Sequence, residues 1–295
     1  MRRPRRLFAL LISAALIAPA AIATGGVATA TTVPTLVGVR AAHHPGYDRV
    51  VFDFTGGLPS TRSVRYVSHL IADPSGRTVP IAGRAILQVN LSPTNAHDSA
   101  GHSTAPTRVA FALPNVMTAV RSGDFEAVTS YGIGLAKKET FKVFTLRNPN
   151  RLVIDIKAAF PTVPKRVWLF NQKRFSVGTE PYYTPVLRPV QPLTPATAVM
   201  DRIFAGPVPA EYANGLRALL SGATGFSNLT ISNTVARVRL TGGCSAGGST
   251  ASIAGEIMPS LRQLSTVDFV KIYDPSGHTE RPNGLSDSIP VCLEP

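Results

Sequence analysis

The stretch YDRVVFDF, Tyr47 to Phe54, decides how the first half of the chain is read. Val50, Phe52 and Phe54 fall on one face of an extended segment, and a period of two marks a half-buried antiparallel strand. Runs of the same kind recur at residues 63–72, 85–91, 108–113, 125–131, 141–146 and 151–156, separated by Gly, Pro, Asn and Asp. Many short strands with no helical window predict a β-sandwich or barrel over residues 34–158. The polar stretch 92–107, with Pro93, Asn95, Gly101 and Pro106, reads as a long surface loop.

The pattern changes at residues 158–164, where Pro161 and Pro164 flank a domain boundary. A strand at 166–170 and an extended run at 184–190 come next. Thr194 and Pro195 suit the N-cap and first position of a helix over 194–204, which Gly206-Pro207 ends. A second helix is expected over 210–220, with Tyr212, Leu216 and Leu220 on one face. Strands at 228–232 and 235–240, a helix over 250–264 and a strand at 269–273 complete a small α+β domain spanning 164–295.

Residues 1–30 join four arginines to an apolar run ending in small residues, the layout of a secretory signal peptide. Cleavage sites of the A-x-A type stand at Ala21-Ile-Ala23 and Ala28-Thr-Ala30. The arginines partly match a twin-arginine export signal, but ordinary secretion is the simpler expectation. An uncleaved anchor is the alternative, and residues 7–18 are short for it, because a span needs about 20 residues. No other segment is apolar enough to cross a membrane, so no stable span is expected after cleavage. Losing those 30 residues removes four arginines and no acids, lowering the formal net charge from +13 to +9. That excess favours anionic surroundings such as wall polymers. The basic residues are scattered and the chain is read as secreted, which argues against nucleic acid. Cys244 and Cys292 are the only cysteines, and an even count in an exported chain reads as one disulfide.

Several motifs suggest chemistry. Gly243-Cys244-Ser245-Ala246-Gly247 fits the G-x-S-x-G nucleophile elbow, with a strand before it, a helix after it, and Asp268, Asp274 and His278 downstream. Such a serine needs a large parallel sheet behind it and a histidine from a distant loop, whereas His278 sits in the turn-like DPSGH. Cys244 beside it points to a loop fixed for structural reasons. His43, His44 and Asp48, or His97, Asp98 and His102, are metal-ligand types, yet a zinc site needs three or four ligands on rigid elements. Asp124 and Glu126 are expected side by side on one strand rather than across a cleft, unlike a glycosidase pair. Trp168 and Phe170 share a strand face and are expected in the core. Tyr182 and Tyr183, after Pro181 in a loop, are better placed for exposure and sugar stacking.

Two family resemblances cover most of the chain. The blocks VRAAHHPGYDRVVFDFTG (39–56), VRYV (64–67), GDFEAVTSYGIGL (123–135), FKVFTL (141–146) and NRLVIDI (150–156) resemble an AMIN-like domain, a relative of the AMIN modules that accompany N-acetylmuramoyl-alanine amidases. RVWLFN (166–171), TPVLRPV (184–190), AVMDRIFAGPVPAE (198–211) and VDFVKIYDPSG (267–277) resemble a GerMN domain, found in spore-germination and actinobacterial envelope proteins. The resemblance implies a secreted, envelope-associated, non-catalytic protein with no cofactor, whose partner is peptidoglycan, another wall polymer or an envelope protein. The alternatives are an adaptor that positions an envelope enzyme and a secreted hydrolase using Ser245. His43, His44, Tyr47, Asp48 and Arg49, with Tyr182 and Tyr183, form the candidate ligand-contact surface. The first five are also readable as a loop between strands in which Asp48 and Arg49 pair with neighbours.

Overall fold

YDRVVFDF is the second arm of a β-hairpin in the computed structural model, which describes residues 32–295. The expected signal peptide lies outside the described residues. Strand β1 (Thr35–His44) pairs antiparallel with β2 (Tyr47–Thr55), His44 facing Tyr47 across the turn Pro45-Gly46. Proline presets φ at the first turn position, and Gly46 takes φ +86° at the second. Residues 43–49 are therefore strand on both sides of a two-residue turn, a correction to the loop reading. Val50, Phe52 and Phe54 face inward and are buried, as the period of two requires.

The first half continues with β3 (Thr61–Val67), β4 (Ala85–Ser92), β5 (Arg108–Ala110), β6 (Val116–Phe125), β7 (Val128–Leu135), β8 (Phe141–Leu146) and β9 (Asn150–Lys157). They form antiparallel sheets of order β1-β2-β9-β8 and β3-β4-β7-β6-β5. Their inner faces share one core in which Phe52 meets Tyr131 edge to face at 5.6 Å. Emptying such a position costs about 3–5 kcal/mol for Phe→Ala. The run 125–131, expected as one strand, contains a turn instead. Glu126 and Ala127 take φ 49° and 57° between β6 and β7, so Asp124 and Glu126 do not stand side by side on a strand.

The second half comprises β10 (Val163–Asn171), α1 (Gln172–Ser176), β11 (Tyr183–Val190), α2 (Pro195–Ala205), α3 (Pro209–Ala213), β12 (Leu216–Arg217), β13 (Ala223–Ser232), β14 (Val235–Gly242), α4 (Ala254–Arg262) and β15 (Phe269–Tyr273). Sheet β11-β10-β12 is antiparallel, and sheet β13-β14-β15 ends in a parallel β14–β15 pair bridged by α4. A parallel pair needs such a crossover. The helix expected over 210–220 is corrected: α3 ends at Ala213, Gly215 turns the chain at φ +94°, and Leu216 and Arg217 pair with β10. The helix expected over 250–264 occupies Ala254–Arg262.

Helix α4 and its cap cover the free edge of β10 with side chains. Gln263 Oε1, Ser260 Oγ and Glu256 Oε1 accept the amides of Arg166, Trp168 and Phe170 at 2.8, 3.0 and 2.9 Å. Spacings of three and four put these residues on one helical face, and every second strand amide points that way. Exposed sheet edges invite unwanted pairing, and this ladder removes one.

The halves meet through a polar knot around residues 111–116. Arg202, buried on α2, donates to the carbonyls of Phe111 (3.1 Å), Leu113 (2.5 Å) and Pro114 (3.4 Å). Asp48, buried on β2, accepts the amides of Asn115 and Val116 at 2.7 and 2.8 Å. Burial first, and nearby Arg188 second, pull the pKa of Arg202 down to about 9, against the opposing pull of Asp201 and Asp48. Arg84 adds a bidentate pair to Asp201 at 2.6 and 2.7 Å. Ala82 and Met117 of the first half join the apolar core of the second.

Candidate functional site

The outward face of sheet β1-β2-β9-β8 gathers three of the seven side chains expected at a ligand surface, His44, Tyr47 and Arg49. On β2, Tyr47 and Arg49 alternate outward while Asp48 and Val50 turn in. The Arg49 guanidinium grips Asp155 of β9 in a bidentate pair at 2.6 and 2.7 Å. It also lies 5.4 Å from the ring centres of both Tyr47 and Phe144. His44 stacks on Tyr47 at 5.0 Å with ring planes 13° apart. Ring, guanidinium and ring thus form a strip from β1 to edge strand β8. The hydrogen bonds to Asp155 hold the Arg49 pKa above its ordinary value, so its charge is permanent. Arg40 and Asp53 form a second bidentate pair at 2.8 and 3.1 Å on the same sheet. Alternation places Lys142, Arg151 and Lys157 on this face with Asp155, and Phe144 is 36% exposed.

The other four expected members, His43, Asp48, Tyr182 and Tyr183, have other jobs. Asp48 is fully buried and accepts from His43 Nδ1 at 2.7 Å as well as from the two amides of the knot. It belongs to the core side of the hairpin because it lies in phase with Val50, and His43 serves to hold it. Tyr183 is in β11, where its hydroxyl donates to Ser252 O and accepts from Ser252 N at 2.9 and 3.0 Å. Its ring covers Gly255, where no side chain fits, and burial pushes its pKa up to about 12. Tyr182, half-buried, packs edge-on against Phe175 at 5.1 Å. Sequence reasoning missed Asp155, Phe144, Arg40 and Asp53. Asp53, Phe144 and Asp155 lie at alternate positions of runs already recognised as strands, Arg40 lies on β1, outside those runs, and only cross-strand register brings the four together.

The remaining candidates separate. Ser245 Oγ accepts from Gly247 N at 3.1 Å, and residues 243–253 lie between the end of β14 and the start of α4, so the strand does not turn directly into the helix. Asp274 accepts the amide of His278 at 2.8 Å in the turn after β15. Cys244 and Cys292 form a disulfide with Cα atoms 5.7 Å apart. His97 pairs with Asp124 at 2.8 Å, and His102 pairs with Asp98 at 3.3 Å. No group of three metal-ligating side chains occurs among the described residues. Trp168 and Phe170 share a strand face, where Phe170 is buried against Phe175 and Tyr183 and Trp168 is half-buried.

No helix among the described residues is long and apolar enough to cross a membrane. Comparison with curated proteins and with solved structures returned no match. A comparison with family models matches residues 34–158 to the AMIN-like domain. AMIN-like domains occur in extracytoplasmic proteins and are associated with cell-wall and peptidoglycan-binding envelope proteins. The sandwich that carries the His44, Tyr47, Arg49 and Phe144 strip is thus the part of this chain that is found to be an AMIN-like domain.

Proposed function

We propose that this chain is an exported, non-catalytic envelope protein that holds a wall polymer, peptidoglycan first, on the outward face of sheet β1-β2-β9-β8. The observation that carries the reading is the strip of His44, Tyr47, Arg49 and Phe144 across that sheet. Flat rings accept the apolar faces of sugars. The surrounding Lys142, Arg151 and Lys157 offer charge to the carboxylates of stem peptides. The sheet holds the strip rigid, so little side-chain entropy is lost on binding. The second half, read as a GerMN-like α+β domain, is bonded to the sandwich through Arg202 and acts as its support.

Edge strand β8 favours a second reading. Val143, Phe144 and Leu146 are all exposed on it, and an unpaired edge can accept a strand from another protein. That makes the chain an adaptor for an envelope protein. Co-sedimentation with purified cell walls at several salt concentrations tests the first reading. It expects wall binding at low salt that weakens as salt rises. Failure to sediment at low salt overturns it, and crosslinking in cells to a defined protein then supports the adaptor.

A further inference from the structure

Between the two halves, on a surface separate from the sheet face, lies a cavity of about 870 Å³. That is within the roughly 300–1,000 Å³ of small-molecule sites. The first half contributes Ile81 and Val109 and the second contributes Phe204, Pro209 and Leu220, so most of the wall offers nothing to a polar ligand. Two arginines break that pattern, one from each half. Arg108, at the start of β5, donates only to Pro80 O at 2.6 Å. Arg217, on β12, donates to Tyr212 O and Leu216 O, both at 2.8 Å, and lies 3.7 Å from the centre of the Tyr212 ring.

These acceptors are neutral carbonyls, and no carboxylate pairs with either arginine among the described residues. Arg40, Arg49, Arg84 and Arg188 each hold an acid, whereas Arg108 and Arg217, like Arg62, Arg174 and Arg237, donate only to neutral oxygens. What distinguishes Arg108 and Arg217 is that both line the cavity. A guanidinium beside an apolar wall without a counter-charge is a place where an anion gains more than it does in open water. Desolvation of its guanidinium by the neighbouring wall lowers the pKa of Arg108 from its ordinary value, although the residue as a whole is exposed. Each carbonyl fixes one edge of the guanidinium and leaves other N–H groups free for a bidentate acceptor.

We propose that this cavity binds a single-headed anionic amphiphile, its hydrocarbon body against the apolar wall and its phosphate or carboxylate on Arg108 and Arg217. Because each half supplies one arginine, such a ligand also ties the two halves together, and binding raises the unfolding temperature.

The test titrates the purified chain calorimetrically with dodecyl phosphate below its micellar concentration, with dodecanol and inorganic phosphate alongside. The expected result is one dodecyl phosphate per chain, bound at least tenfold more tightly than dodecanol, with no measurable inorganic phosphate. Arg108→Gln with Arg217→Gln should reduce dodecyl phosphate to the level of dodecanol. Ala218→Trp, which narrows the cavity, should weaken both. Unfolding midpoints of the ligand-free variants separate lost binding from lost folding, and Arg108→Gln alone, at an exposed position, serves if the double variant fails to fold. Vesicles containing phosphatidic acid form a second arm: sedimentation with them identifies a membrane lipid as the source, and binding of the monomer alone identifies a soluble amphiphile. Equal affinity for dodecyl phosphate and dodecanol, binding unaffected by Ala218→Trp, or no binding at all overturns the proposal.

Discussion

Glu256 offers a sharp test of how α4 is held to β10. Its carboxyl is fully buried, and Oε1 accepts the amides of both Phe170 and Leu219 at 2.9 Å. Oε2 finds no partner. Burial pushes the pKa from 4.5 up to about 8, and the two amide bonds only partly oppose it. The acid is thus neutral in the folded protein over a range where it is ionised in the unfolded chain. A raised folded-state value means stability fully present below about 4.5, lost progressively as pH climbs, and level again above about 8. At about 1.4 kcal/mol per pH unit, that loss totals on the order of 5 kcal/mol. Glu256→Gln keeps an oxygen for the two amides but cannot ionise. Urea unfolding of both proteins at pH 5, 6, 7 and 8 should show the variant gaining on the parent by about 1.4 kcal/mol per pH unit. Parallel stability curves for the two proteins would refute the reasoning, because the carboxyl would then carry no pH-dependent cost.

Other consequences can be measured on the same samples. Replacing Cys244 and Cys292 by serine opens a link spanning 48 positions, and urea unfolding should show a loss of about 4 kcal/mol. Arg202→Leu strands three carbonyls of the knot and leaves Asp48 without its distant counter-charge. The expected loss is about 3–5 kcal/mol, seen as a lower Tm. Ser245→Ala removes only a local bond to Gly247, so it should shift stability by less than about 0.5 kcal/mol. A fluorophosphonate probe should leave the parent protein unlabelled, and labelling at Ser245 would restore the hydrolase reading.

Strand alternation was the most legible feature of this chain, and residues 47–54 are read correctly from it because one face had to be buried. Turns without turn chemistry were not legible: Glu126-Ala127 reverses the chain at positive φ with neither Gly nor Asn, which register with β7 imposes. The helix expected over 210–220 fails for a similar reason, since Leu216 and Arg217 gain backbone partners on β10 that the local pattern does not reveal. At the candidate site, Tyr47 and Arg49 stood out early, whereas Asp155 is 106 positions from Arg49 and only folding joins them. Asp48 looked like a surface acid because polar residues usually are. Its amide partners lie 67 and 68 positions away, at Asn115 and Val116. Tyr183 shows the same effect in reverse, with a loop-like neighbourhood hiding a bond to Ser252.

The central claim is that the strip on sheet β1-β2-β9-β8 holds wall polymer. The most direct measurement compares wall co-sedimentation at low salt for the parent, for Arg49→Gln with Phe144→Ala, and for Leu187→Ala, a change at a more exposed position on β11 in the other half. The double variant should lose at least tenfold in affinity with its Tm nearly kept, while Leu187→Ala should bind like the parent. Undiminished binding by the folded double variant would contradict it.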